Sequence, residues 1–253
     1  MPSDRFANKV AVVTGGSSGI GYATCVRLHA EGACVVMAAR RPDVGEEAPR
    51  RIGGDRIAFK STEVTDRAQL DALFDFCGQR FGRLDVLVNN AGIARVGRFD
   101  AMSKRTWQRL VDVNLGAVFD ACQAAIPHLR NAHDTATSRA IVNVASLTSV
   151  AGEPGMAVYA ATKAGVLNFT RSLALELIGE GIRVNAVSPG AVDTPLSALS
   201  TGTPHIAAAF HGAIPIGRFA RPDEIAAAAW RGSRRRITRS TASAGTAMNG
   251  ERV

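Results

Sequence analysis

The passage from Lys9 to about Glu31 narrows the possible folds more than any other part of this 253-residue chain. Lys9-Val10-Ala11-Val12-Val13 is a short apolar run, and it gives way at once to Thr14-Gly15-Gly16-Ser17-Ser18-Gly19-Ile20-Gly21. A helix-like stretch follows to Glu31, with Gly32 placed to stop it. Strand, glycine-rich turn and helix in that order open a dinucleotide-binding unit. Glycines let backbone approach a pyrophosphate, and a helix N-terminus offers free N–H groups and a positive dipole. The spacing here is G-x3-G-x-G rather than G-x-G-x-x-G, and a plain tight turn accounts for it equally well.

The pattern then repeats. Ala33 to Ala39 reads as a second strand ending in Arg40-Arg41, where units that bind NAD carry an acid for the ribose 2′-hydroxyl. Guanidinium groups pair with phosphate in bidentate fashion, so this site favours NADP(H), with NAD(H) as the alternative and a solvated basic turn as the bland reading. Arg56 to Lys60 is a third strand. Asp66 is placed to cap a helix with apolar positions at Leu70, Leu73, Phe74, Cys77 and Phe81. Leu84 to Val88 is a fourth strand, ending in Asn89-Asn90-Ala91-Gly92. Trp107 to Leu129 reads as one long helix containing Asn114. Arg139 to Ala145 is a fifth strand with Ser146 just past its end, and Ile182 to Val187 a sixth, running into Ser188-Pro189-Gly190-Ala191-Val192-Asp193-Thr194-Pro195. Leu196 to Ile216 suits a lid or an ordinary surface excursion. Strands alternating with helices over residues 1–230 predict one Rossmann-type α/β domain: a doubly wound parallel sheet with helices on both faces.

Charge separates the end of the chain from the rest. Of 30 basic and 22 acidic residues, those after Trp230 include six arginines and one glutamate, leaving 24 and 21 elsewhere. The +8 formal charge therefore sits largely in an arginine-rich tail, residues 231–253, and its location argues against a nucleic-acid partner. Hydrophobic content of 46% is ordinary, no apolar run reaches the roughly 20 residues of a membrane span, and the polar start Met1–Lys9 lacks a signal-peptide core. Cys25, Cys34, Cys77 and Cys122 are scattered, without metal-ligand spacing. Together these predict a cytoplasmic protein without a metal site.

Tyr159 and Lys163 lie four apart in an apolar helical run, which puts both on one face. A phenol titrates near pH 10 unperturbed and is a poor acid or base at neutral pH. An ammonium beside it is expected to lower that pKa and poise the phenol to exchange a proton with a carbonyl or alcohol oxygen. On its own such a pair is most often a surface contact.

Thr14-Gly15-x3-Gly19-x-Gly21, Asn89-Asn90-Ala91-Gly92, Asn114, Ser146, Tyr159-x3-Lys163 and Pro189-Gly190 together resemble the short-chain dehydrogenase/reductase family in its compact form, over residues 7–228. The resemblance implies interconversion of a ketone and a secondary alcohol. Tyr159 would be the general acid or base, and Lys163 would lower its pKa and hold the nicotinamide ribose. Ser146 would orient the substrate oxygen, and Asn114 would hold a water. It also implies cofactor contacts from Gly15, Ser17, Ser18, Gly19, Ile20, Glu63, Val64, Asn90, Ala91, Gly92, Pro189, Gly190, Val192 and Thr194, with Arg40 and Arg41 as the 2′-phosphate clamp. Glu63 stands where the family has an aspartate reaching the adenine amine. The tail has no strand-like run where the family adds a seventh strand, and it reads as a replaced terminus or a shifted reading frame. A homo-oligomer is expected, a dimer through the two long helices with a tetramer less secure than in the family, acting on a small-molecule carbonyl or alcohol substrate of unspecified identity. A nucleotide-binding protein without turnover is the competing class.

Overall fold

The computed structural model describes residues 5–131, 139–198 and 214–232. Most of the expected lid and all but two residues of the arginine-rich tail lie outside them.

Six strands form one parallel sheet: β1 (Val10–Thr14), β2 (Cys34–Ala39), β3 (Ile57–Ser61), β4 (Val86–Asn89), β5 (Arg139–Val144) and β6 (Ile182–Val187), in the order β3-β2-β1-β4-β5-β6. Both faces of the sheet are covered, so its strands are apolar on both sides, as buried parallel strands must be. Side chains alternate accordingly. Val10 and Val12 join a core with Leu70, Phe74 and Cys77 of α3 (Arg67–Phe81), Ala121 and Leu129 of α5 (Ala117–Arg130), and Val166 and Leu173 of α6 (Ala157–Leu177). Ala11 and Val13 face the opposite way, onto Cys25 and Leu28 of α1 (Gly19–Ala30), Ala48 of α2 (Pro42–Ile52) and Ala229 of α8 (Pro222–Gly232). Among the described residues the sheet has no seventh strand.

Helix ends follow local chemistry. Asp66 accepts hydrogen bonds from the Ala68 and Gln69 amides at the start of α3, and Gly82, at φ 78°, terminates it. The expected long helix around Asn114 is continuous but not uniform. Lys104–Val111 (α4) passes through a π turn at Asp112–Gly116 before α5 resumes. Such single-turn widenings often mark functional positions, and this one carries Asn114. The short α7 (Pro195–Ala198) follows the loop after β6.

The chain leaves β1 toward β2 on one side, while β4 lies on the other. Reversal of strand order at that point opens a crevice beyond the carboxyl ends of β1 and β4, where ligands bind in open sheets.

Candidate active site

The glycine turn between β1 and α1 is fixed from below by Thr14. Its hydroxyl oxygen accepts from the amides of Asn90 and Ala91, both at 3.1 Å, and so joins the ends of β1 and β4. The Asn90 side-chain amide donates to the carbonyls of Thr14 (3.0 Å) and Gly15 (3.1 Å). Asn90 therefore pins the turn with its NH2 group, besides lining the crevice as the sequence suggests. The packing demands glycine at two positions. Gly15 has φ 64°, and a Cβ on Gly21 would stand 2.2 Å from the Gly15 carbonyl oxygen. Ser17, Gly19 and Ile20 are half-buried around the turn, and Ser18 is the exposed N-cap of α1. Ser18 makes no side-chain cap bond, and the first turn of α1 carries no acid, so the helix N-terminus is left open to an anion.

On the opposite lip, the loop after β6 closes toward the turn. The Thr194 methyl lies 3.2 Å from where a Gly19 Cβ would be. Val192 is buried, bridges to Ala220 and accepts at its carbonyl from the Ser197 hydroxyl at 2.6 Å. Pro189 accepts at its carbonyl from the Leu147 amide at 2.8 Å, which ties this loop to the one carrying Ser146. Gly190 is exposed beside Leu147.

Ser146 caps a short 3-10 turn. Its hydroxyl oxygen accepts from the Thr148 amide (3.2 Å) and the Thr148 hydroxyl (3.0 Å). With its acceptor side occupied, its own proton is available to a neighbour. Tyr159 is that neighbour: burial pushes the phenol pKa up, and the Ser146 hydroxyl partly counters this. Lys163 is buried, and its Nζ donates to the Val144 carbonyl at 2.7 Å, with the centroid of the Tyr159 ring 5.9 Å away. Burial lowers its pKa from 10.5 to about 8.

These facts correct one expectation. The ammonium does not depress the tyrosine pKa in this state. Its Nζ lies over the Tyr159 ring and donates to the Val144 carbonyl, and burial of the phenol is the larger effect.

Asn114 is fully buried. Its Oδ1 accepts from the Ile93 amide and its Nδ2 donates to the Ile93 carbonyl, both at 2.9 Å, and Nδ2 also reaches the Thr162 hydroxyl at 3.4 Å. A Cβ on Gly92 would meet Asn114 Oδ1 at 3.2 Å and Lys163 Nζ at 3.6 Å, so both groups flank one backbone position. Thr162 completes the linkage by donating to the Tyr159 carbonyl at 2.7 Å. Asn114, Ser146, Tyr159 and Lys163 thus meet at one end of the crevice.

At the other end stand Arg40, Arg41, Glu63 and Val64. Arg40 and Arg41 are exposed at the end of β2. Val64 is buried with Leu70 and Val113 in the core. Glu63 accepts from the Thr65 amide (3.3 Å) and hydroxyl (3.0 Å) and lies 3.2 Å from Arg109 and 3.7 Å from Arg40. Sequence reasoning missed three participants: Thr148, Thr162 and Arg109. Thr148 and Thr162 lay within reach, two and three residues from Ser146 and Tyr159. Arg109 gave no local signal, because its partner is 46 positions away.

Residues 9–203 match the family described as short chain dehydrogenase. Over 229 residues the chain is 41% identical to 3beta-hydroxysteroid dehydrogenase 1 of Eggerthella lenta, covering 89% of this chain and 87% of that one. Over 232 residues it is 42% identical to cis-4-hydroxycyclohexanecarboxylate dehydrogenase of Sinomonas cyclohexanicum, covering 89% of each. The crystal structure of 3-ketoacyl-(acyl-carrier-protein) reductase from Brucella melitensis complexed with NADH is similar at a TM-score of 0.83 and 32% identity, covering 94% of this chain and 93% of that one. On fold, site geometry and these likenesses together, the chain belongs to the short-chain dehydrogenase family.

Proposed function

We propose that this protein is an NADP(H)-dependent oxidoreductase that interconverts a ketone and a secondary alcohol, with Tyr159 as the general acid and base. The observation that carries the reading is the convergence of Ser146, Tyr159, Lys163 and Asn114 at the carboxyl edge of the sheet.

The crevice suits a dinucleotide. Its glycine turn has no room for a Cβ at Gly21, and the uncapped, acid-free start of α1 favours a pyrophosphate. Arg40 and Arg41, just past β2, would meet a ribose 2′-phosphate, with Glu63 3.7 Å from Arg40. Gly15, Ser17, Ser18, Gly19 and Ile20 would wrap the phosphates, and Val64 would contribute backbone. Asn90, Ala91 and Gly92 would line the adenosine side, and Pro189, Gly190, Val192 and Thr194 the nicotinamide. The nucleotide, when bound, supplies the hydride chemistry.

The protein groups position and move protons. Ser146 donates to the substrate oxygen, because Thr148 already fills its acceptor side. Tyr159, a phenol already protonated at neutral pH and raised further by burial, delivers a proton to a carbonyl oxygen during reduction and takes one back during oxidation. Lys163 has a pKa near 8 and exchanges protons close to physiological pH; it would also hold the nicotinamide ribose. Asn114 Oδ1 keeps one lone pair for a water leading toward Lys163.

A ring-bearing secondary alcohol is the substrate class we favour. Two relatives, the hydroxysteroid and hydroxycyclohexanecarboxylate dehydrogenases, are named for such alcohols. Exposed Val96, Leu147 and Val150 give this site an apolar rim, and a Cβ on Gly155 would lie 3.1 Å from Val96. The subunits would pair through α5 and α6. A groove of about 330 Å³ between the end of α4, the π turn and α6 is lined by Phe99, Val111, Leu115, Val158 and Ala161, and Phe119 of α5, 40% exposed, packs on Phe169 of α6.

The test is turnover of the full chain with NADPH and a panel of ring ketones and β-ketoacyl thioesters, compared with Tyr159→Phe. Loss of about 10²- to 10⁴-fold with nucleotide binding intact is expected. Equal rates would remove Tyr159 from the mechanism, and tight nucleotide binding without any turnover would leave a binding protein.

A further inference from the structure

Two guanidinium groups, Arg40 and Arg109, meet one carboxylate, Glu63, at the adenosine end of the crevice, and they are not equivalent. Glu63 sits two residues past β3. Its Oε1 is taken by the Thr65 amide and hydroxyl, and its Oε2 faces both Arg109 and Arg40. Burial alone would raise this carboxyl, but the Thr65 hydrogen bonds and the two guanidinium groups hold it below the usual range, so it is an anion at neutral pH. The two arginines differ in their grip. Arg109 donates a hydrogen bond to Oε2 at 3.2 Å and another to the Thr65 hydroxyl at 3.2 Å. Arg40 approaches the same oxygen only to 3.7 Å, beyond hydrogen-bond range, and is 59% exposed. Glu63 is thus an internal competitor for the cation at the end of β2, and it is held chiefly by another helix.

We propose that Arg109 is a specificity-determining residue: by holding Glu63 it leaves Arg40 available to the ribose 2′-phosphate. Without Arg109, Glu63 turns to its remaining cation, Arg40. A dianionic phosphate then has to displace a carboxylate, whereas a 2′-hydroxyl meets no such obstacle. This inference rests on the NADP(H) reading above. It assigns a positioning role to a residue of α4 that lies five positions before Asn114, so one helix adjusts both ends of the crevice.

The test measures affinity directly, by calorimetry of the full chain with NADPH, NADH, 2′,5′-ADP and 5′-AMP. In Arg109→Gln, preference for NADPH over NADH, and for 2′,5′-ADP over 5′-AMP, should fall roughly five-fold, the size of an exposed charge pair. In a Glu63→Gln background the same substitution should change the preference little, because there is no carboxylate left to restrain. Arg109→Lys keeps the charge but loses the fork that spans Glu63 and Thr65, and should fall between. Equal loss of both nucleotides, or an undiminished effect in the Glu63→Gln background, would overturn the proposal. The underlying reading fails separately: if the double variant Arg40→Gln, Arg41→Gln leaves the NADPH to NADH preference unchanged, the 2′-phosphate clamp itself is refuted.

Discussion

Lys163→Met should make the protein more stable at neutral pH and inactive at every pH. Lys163 is 4% exposed and its ammonium has the Val144 carbonyl as its hydrogen-bond partner. Burial lowers its pKa from 10.5 to about 8, and each tenfold change in proton affinity corresponds to about 1.4 kcal/mol. Keeping the charge buried at pH 7 therefore costs the folded state about 3 kcal/mol relative to the unfolded chain. Methionine is of similar length and removes that cost. It also strips the Val144 carbonyl of this donor, a loss of about 1–3 kcal/mol, so the net gain at pH 7 is about 0–2 kcal/mol. The sign with pH follows from proton counts. Between pH 8 and 10.5 the folded protein has released this proton while the unfolded chain still binds it, so wild-type stability rises through that window relative to the variant. Urea denaturation of both proteins at a series of pH values, without nucleotide and at one protein concentration, gives the difference curve. The stability difference, methionine minus wild type, should fall by about 3 kcal/mol between pH 7 and 10.5 and so reverse sign. A flat difference curve would refute the claim that a charged, desolvated amine is what the fold carries here.

Ser146→Ala should lift the alkaline limb of kcat/KM for ketone reduction to higher pH as well as lowering turnover. The Ser146 hydroxyl is the group that pulls the Tyr159 pKa down against burial, and the reducing form is lost only as pH rises through that pKa; pH–rate profiles of the two proteins decide this. Gly21→Ala should weaken nucleotide binding and lower stability by about 1–3 kcal/mol, read by calorimetry and urea titration, because its Cβ would stand 2.2 Å from the Gly15 carbonyl oxygen. Thr14→Val keeps the shape but removes the acceptor for the Asn90 and Ala91 amides. It should cost about 1–3 kcal/mol, and Thr14→Ser should recover much of it. Phe119→Glu should convert the expected dimer into a monomer in sedimentation, since the charge would fall on the α5 and α6 face beside Phe169.

The strands are legible to within about two residues: β1, β2 and β4 are short, buried apolar runs that stop at glycine, arginine or asparagine, whereas β3, β5 and β6 carry polar residues and are read from their place in the strand–helix alternation. Of the four proposed catalytic positions, Ser146 is legible at a strand end and Tyr159 and Lys163 by their helical spacing, whereas Asn114, in mid-helix, is picked out only by the family resemblance. Helix α2 is not visible in the sequence. It contains Gly45 and Pro49, poor helix formers, and it is held by tertiary packing, since a Cβ on Gly45 would enter the Phe59 ring at 2.1 Å. The π turn at Asp112–Gly116 leaves no periodicity to read. The direction in which the Tyr159 pKa moves is hidden as well, because the spacing of Tyr159 and Lys163 says nothing about the Val144 carbonyl that claims the amine. Arg109 escapes because a surface arginine on a helix has no signature until β3 and α4 are placed side by side.

The side chains proposed to handle protons hang on rigid supports: Tyr159 and Lys163 on one 21-residue helix, and Asn114, itself fully buried, in the π turn before α5. The apolar rim does not. Val96, Leu147 and Val150 project from loops outside the sheet and the long helices, and they are exposed. Evolution, or a laboratory library confined to those three sites, can therefore rewrite what is accepted while inheriting the reaction unchanged.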